Sequence, residues 1–473
     1  MAPLPQNEMR SFDYFHSGFR FRQTRSLVET DWPLTDPCIE NSIADERETP
    51  IIIPTNSRRL LRHVAILASL ATFTVASYAA ADVSSYSAPA DTQVAQTATP
   101  APPPAAAPAA AAPAPTPAPV WSVGSVDLSG YIDGYFSYNN NRPSNLADGQ
   151  TNQYYTFDDK TDQFSLEAAK LTLNHDPDPV GAHLDILFGR TNTLIHTNSP
   201  GETATDNYIE QAYISMKPPK AKGFELDFGQ FVTSAGQEVV ETMSNWSYSH
   251  GLLFSYAIPV YHFGLRTSLP ATKVWTIGAQ VVNGWNNVSS NNGGVTIGLT
   301  SSLVKPKYTW NTNYYVGPSN VDTQKSYRNL IDTTLLLTPN AKFNWYVNYD
   351  YGQNHTDAAA AVVGVSPKIL EDSPHWQGIA SSARGQVTAN AALIGRYEYF
   401  YDDQGFATAF TSKQTLQEFT GTYEYKWPAG LLMRTEYRYD WSDHAAFPRG
   451  NTAMVKNQST VTVGLIAFFG PKR

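Results

Sequence analysis

The chain has 473 residues and a formal net charge of -9 from 33 basic and 42 acidic side chains, which argues against nucleic acid as a partner because phosphate binding needs a basic face. Charged residues make up 16% and aromatics 12%, a composition low in charge against about 25% for ordinary soluble proteins. Mean hydropathy is -0.33, and beyond the N-terminal region no apolar run nears the ~18 residues of a spanning helix; this excludes a helical membrane protein but not a barrel whose strands alternate lipid-facing and water-facing side chains.

Residues 1–57 are polar and unperiodic, and no fold is inferred from them. A translation start downstream is the favoured account of this extension, although no Met lies between Met9 and Met216; an extended signal is the alternative. Residues 58–81 read as a signal peptide: Arg58, Arg59 and Arg62 form a basic head, His63 to Val75 an apolar centre, and Ala79 and Ala81 a small-residue cleavage signature. The lone cysteine, Cys38, lies before that site, so the exported product is expected to hold neither a disulfide nor a Cys-based metal site. Residues 82–122 follow as a disordered linker, almost pure Ala and Pro from Ala98 to Pro119, which suits an extended periplasmic tether.

From residue 123 to 473 the pattern has period two, the mark of half-buried strands. In Leu431 to Trp441, the odd positions Leu431, Met433, Thr435, Tyr437, Tyr439 and Trp441 suit lipid, whereas Arg434, Glu436, Arg438 and Asp440 suit water. Phe419, Tyr423, Tyr425 and Trp427 stand in the same way against Glu418, Glu424 and Lys426, and Leu393, Tyr397 and Tyr399 against Arg396 and Glu398. A soluble sandwich would also alternate, but connection lengths separate the two. Short turns are expected near Asp176 to Val180, Pro218 to Gly223, Leu269 to Lys273, Val304 to Lys307, Thr338 to Lys342, Ser382 to Gln386 and Pro428 to Gly430. Long segments lie between them, near Asn139 to Gln163, Arg190 to Asp206, Phe231 to Pro259, Gly284 to Gly293, Gly317 to Tyr327, Gly352 to His375, Asp402 to Lys413 and Ser442 to Val455. Strict alternation of short periplasmic turns and long outer loops predicts an all-β fold, a transmembrane antiparallel β-barrel of about 16 strands. The last strand, with Val461, Val463, Leu465, Ala467 and Phe469 on one face, suits the bacterial outer membrane and contact with its lipid.

A barrel of that size leaves an aqueous channel unless something folds inward. The third long segment contains SAGQEVVETM, in which Val239, Val240 and Met243 have helical spacing beside Glu238 and Glu241. It is expected to dip into the lumen as a constriction loop, an external cap being the alternative. The strand faces place Asp133, Asp185, Asp227, Arg266, Asp350, Arg396, Glu398, Glu424, Lys426, Arg434, Glu436, Arg438 and Asp440 along the pore. Rings of such charge select ions by sign, but mixed signs on adjacent strands also suit cross-strand pairs. With Asp127 and Asp332 added, the acids lean towards cation preference.

Several segments together resemble the β-barrel porins of the OmpL-like type: GYIDGYFSYNNNRPS at Gly130, IEQAYIS at Ile209, FGQFVTSAGQEVVE at Phe228, GRYEYFYDDQGFATA at Gly395 and MRTEYRYDWSDHAAF at Met433. The resemblance covers about Gly130 to Phe469 and not the extension or the spacer. It implies an outer-membrane porin-like protein without specifying a solute. The sequence holds no nucleophile elbow, no HExxH pair and no Walker loop, so an enzyme is not expected; His183 and His262 read as single wall residues, and DPDPVG as a turn. No cofactor is implied. The expected function is passive diffusion of small hydrophilic solutes, with a homotrimer as the assembly usual for barrels of this size; a closed barrel with a structural or surface-binding role is the alternative.

Overall fold

The computed structural model describes residues 122–123, 125–144, 150–196, 206–319, 324–355 and 373–470. The chain separates into two units, Met1–Tyr86 and Ser87–Arg473, and every described residue lies in the second. The expected extension, signal peptide and all but the end of the linker therefore fall outside the described residues.

Sixteen antiparallel strands close into a barrel. In chain order they are β1 (Val126–Asn139), β2 (Gln163–His175), β3 (Val180–Phe188), β4 (Ile209–Met216), β5 (Glu225–Val232), β6 (Tyr261–Pro270), β7 (Trp275–Val282) and β8 (Thr296–Lys305). The second half comprises β9 (Tyr308–Pro318), β10 (Tyr327–Asn340), β11 (Phe343–His355), β12 (His375–Gln386), β13 (Ala391–Asp402), β14 (Gln414–Trp427), β15 (Leu431–Ser442) and β16 (Asn457–Phe469). Each strand pairs with the next, and β16 closes on β1 from Thr460 opposite Asn139 to Phe469 opposite Gly130. Closure removes the free edges that an open sheet would expose to lipid. A two-residue strand, Ser122–Val123, folds back on the start of β1. A short hairpin, Phe447–Arg449 with Ala453–Val455, stands in the last outer loop.

The expected alternation of short and long connections is present, with one shift. Ser382 to Gln386 continues β12 instead of turning, because Ser382, Arg384 and Gln386 stay in register with Arg396, Ile394 and Ala392. The turn lies at 387–390, where the Thr388 hydroxyl accepts the backbone N–H groups of Asn390 and Ala391. Most other turns are tight: Lys305 and Tyr308 pair directly across two residues, and Gly430 takes the positive φ (86°) that the turn before β15 requires. The β4–β5 connection, 217–224, is the exception, as long as the outer connection 319–326.

Side chains divide as period two demands. Ile331, Phe419, Tyr423, Tyr437 and Leu465 lie exposed on the outer wall, while Asp332, Glu418, Glu424, Arg438 and Gly464 point inward. An apolar outer wall is favourable only against lipid, at roughly 25 cal/mol per Å² removed from water. Among the described residues, the interior is filled by the polar wall, by residues 154–158 of the first long loop, whose Tyr155 ring lies against Arg438, and by the loop between β5 and β6.

Candidate functional site: the lumen and its strap

That loop, 233–260, leaves the wall between β5 and β6. In a ring of sixteen, β14 stands nine strands on from β5 and eight on from β6, so it is the opposite wall. The loop reaches it. Arg434 on β15 donates to the carbonyls of Thr242, Asn245 and Ser247. Arg396 on β13 donates to Ser249 O (2.6 Å) and pairs with Glu238 (2.6 Å). Arg438, also on β15, donates to His250 O (2.7 Å). Glu436 accepts the backbone N–H of Tyr248 (2.8 Å) and of Ser249 (3.2 Å), and Glu398 that of Leu253 (2.9 Å). The segment is thus a strap across the lumen whose backbone polar groups are satisfied by the far wall rather than by water, as burial requires.

The helical spacing of Val239, Val240 and Met243 does not produce a helix. The stretch is irregular except for a 3-10 turn at Thr242–Ser244, and the strap's α-helix is the single turn Leu252–Tyr256. Asn245 explains the difference: its amide accepts from Val239 N–H (2.9 Å) and donates to Val239 O (2.8 Å), taking the groups an i to i+4 ladder would use.

The other expected lumen residues fall into four groups, with Asp127 apart from them. Against the strap, Asp133 accepts the Tyr248 hydroxyl (2.7 Å), and Glu238 also accepts the Gly251 N–H (2.6 Å). Around β14 and β15, Glu424 bridges Arg384 (2.9 Å) and Arg434 (2.7 Å), with Lys426 at 3.6 Å; Asp440 pairs with Arg438 (2.8 Å) and accepts from Gln458 (3.1 Å). On the near wall, Asp227 pairs with Arg266 (2.7 Å), whose guanidinium lies over Tyr213 and Phe231. Asp185 is held by Lys170 (2.8 Å), His183 (3.0 Å) and Gln211 (2.7 Å). Asp332 and Asp350 face each other across β10 and β11, sharing Asn348. Asp127 lies at the opposite end of β1 from Asn139, paired in register with Asn174 and away from the strap.

Sequence reasoning missed the hub on the near wall. Lys170 sits among Asp185, Glu210 (2.7 Å) and Glu241, so its ammonium occupies the centre of three carboxylates and ties the strap to β2. Glu167 was equally invisible. The register passes from Asp133 opposite Ala168 to Gly134 opposite Leu166, leaving Glu167 as a bulge residue turned inward onto Thr191 (2.6 Å). Arg384 was missed because the segment that holds it was read as a turn, whereas it stays in the β12 ladder opposite Ile394; Glu418, placed on the water-facing parity of β14, does point inward.

The waist is tightly filled: Arg396, Arg434, Arg438, Glu398 and Glu418 are each at most 1% exposed. A cavity of about 10 Å³ between the strap and β11–β13, lined by Gln237, Glu238, Leu253, Tyr346, Ala380 and Glu398, has room for about one water. In the outer vestibule, residues 154–158 pack on the strap, where Phe157 meets His250 and Phe254 edge-on. Burial and the charge of Glu436 push the Asp158 carboxyl well above its ordinary range, against the pull of Arg438; burial pushes the His250 imidazole down.

Among solved structures, the chain is similar to an anion-selective porin from Comamonas acidovorans (10% identity, TM-score 0.49, 73% of this chain and 99% of that one). It is also similar to OmpF of Salmonella typhi in complex with daunomycin (12%, 0.48, 73% and 97%) and to the trimer form of OmpT of Vibrio cholerae (13%, 0.47, 74% and 100%). No curated protein matches the chain. The sequence family described as Putative beta-barrel porin-2, OmpL-like, matches residues 125–469, which is the whole barrel, and the chain belongs to that family of bacterial outer-membrane porin-like barrels.

Proposed function

We propose that the protein is a non-enzymatic diffusion porin of narrow bore, passing small hydrophilic solutes along a lumen whose constriction is the 233–260 strap. The observation that carries this reading is the strap itself: a loop that crosses to the far wall and is met there by Arg396, Arg434 and Arg438. A barrel with no passage to regulate has no need of a polar, hydrogen-bonded divider; an apolar core would close it at lower desolvation cost. In this reading Glu238 and Glu241 position the constriction, and the inward charges form its wall. Asp133, Asp332 and Asp350 accept hydrogen bonds from neutral tyrosine and asparagine side chains and form no salt bridge with any described residue, which supports a modest cation preference. The assembly in this reading is a homotrimer seated in outer-membrane lipid.

One observation favours the second reading, a closed barrel with a structural or surface-binding role: the near-complete burial of the waist residues. Planar-bilayer recording separates the two. Pure, heat-modifiable wild-type protein is expected to give small conductance steps, with a reversal potential of cation sign in a salt gradient. Arg434→Met, which releases three strap carbonyls and leaves Glu424 with fewer partners, is expected to weaken strap docking by about 3–5 kcal/mol and enlarge the steps. Silence from both proteins establishes the closed barrel, and an anion-sign potential overturns the preference.

A further inference from the structure

Arg266, Arg384, Arg396, Arg434 and Arg438 each face a carboxylate. Arg328, at the outer end of β10 and on its inward face, does not. Its Nε donates to Asn354 Oδ1 (3.2 Å), and it forms no salt bridge with any described residue. Its guanidinium carbon lies 4.9 Å from the Trp285 ring centre, 5.2 Å from Phe406 and 5.8 Å from Trp376. Asp402, in register with Trp376, is taken by the backbone N–H groups of Phe406, Ala407 and Thr408 at 2.8–2.9 Å.

A second group at the same place has an atom without a partner among the described residues. Asn354 is directly opposite Arg328 in the β10–β11 ladder. Its Oδ1 accepts from Arg328 and from the Ser319 hydroxyl (2.6 Å), which fixes the amide's orientation. That leaves Nδ2 a fully buried donor without an acceptor among the described residues. Leaving such a donor without its hydrogen bond is costly, and an incoming acceptor would remove that cost. Unlike the waist, where acids outnumber bases, the acceptors of this corner, Asn354 Oδ1 and the Asp402 carboxylate, are already engaged by donors.

We infer that Arg328 and Asn354 form a binding site in the outer vestibule for a small carboxylate, with aromatic carboxylates favoured by the half-buried Trp285 and Phe406 rings. The guanidinium fork matches a carboxylate's two oxygens, and flat rings beside it receive a flat solute. The site adjoins the strap's exit, because Trp376 Nε1 donates to Ala257 O (3.0 Å). A bound anion therefore rests against the residue that holds the strap's C-terminal end.

Tryptophan fluorescence of the folded full chain in detergent tests this, with benzoate, acetate and benzylamine as probes. Occupancy is read without current, so the result is independent of whether the lumen conducts. Benzoate is expected to quench saturably, acetate more weakly and benzylamine not at all. Arg328→Gln is expected to lose roughly tenfold or more in benzoate affinity, as the loss of a charge-assisted pair implies, and Arg328→Lys to fall between. Unchanged benzoate affinity in Arg328→Gln overturns the site. Should that variant fail the heat-modifiability check for folding, the wild type decides alone: benzylamine quenching equal to benzoate's, or no saturable quenching, overturns it.

Discussion

Asp158 shows how the lumen treats a single charge. Its carboxyl lies 4.0 Å from His250 Nδ1 in the packed outer vestibule, and burial with Glu436 nearby makes it harder to ionise than in the unfolded chain, despite Arg438. A carboxyl whose folded pKa is raised opposes folding once pH passes its ordinary value of 3.8, and the opposition grows until pH reaches the folded value. Asp158→Asn removes that opposition. The variant and wild type should match near pH 4. As pH rises the variant should become the more stable in urea, by about 1.4 kcal/mol for each pH unit over which the folded carboxyl stays protonated. The comparison is cleanest above pH 7, where His250, with its depressed pKa, is neutral in both states. A variant less stable than wild type at pH 8 contradicts it. Strand parity could not have found Asp158, which lies in a loop, nor Glu167, whose bulge breaks the parity. It did place Arg396, Glu398, Arg434, Glu436, Arg438 and Asp440 on one face, where they are buried, because β13 to β15 run without a bulge.

At the scale of elements, the wall is shaped to seat the strap. A Cβ at Gly464 on β16 would run into the Tyr248 ring, and one at Gly378 on β12 would meet Leu253. These seats also explain why β12 was hard to read: its inward positions Trp376, Gly378, Ala380 and Ser382 are small or apolar because they face the strap instead of water. The strap's own fold was illegible for the same reason, since its backbone partners come from strands nearly two hundred residues away. Gly464→Val makes the argument testable. Valine is the better strand residue, and no ladder bond is lost, so barrel closure and heat-modifiable mobility should persist. Tyr248 must leave its seat and its bond to Asp133, so hydrogen exchange at 246–250 should rise at least tenfold while β15 and β16 stay protected. Unchanged exchange in the strap would show that the wall glycine does not seat it.

The whole barrel is uneven in height. Strands β3, β4, β5 and β7 have 9, 8, 8 and 8 residues, whereas β10 to β15 have 12 to 14. At about 3.3 Å per residue and a tilt near 40°, eight residues span roughly 20 Å and thirteen roughly 33 Å. The apolar band of an outer-membrane barrel is about 25 Å tall, so the low arc falls short and the tall arc does not. Hydrophobic mismatch of this sign is relieved by thinning the bilayer or by covering the short wall with another copy. The low arc still presents large apolar groups, Ile214 and Phe228 among them, which a neighbouring subunit would cover. The proposed homotrimer should therefore join through β3 to β5. Since Cys38 is the sequence's only cysteine, single cysteines in the barrel report contact cleanly. Ile214→Cys or Phe228→Cys should give disulfide-linked species under oxidation in membranes, whereas Ile331→Cys on β10 and Tyr397→Cys on β13 should stay single. Crosslinking from the tall arc instead would place the interface elsewhere, and crosslinking from neither would leave bilayer thinning to absorb the short wall of a monomer.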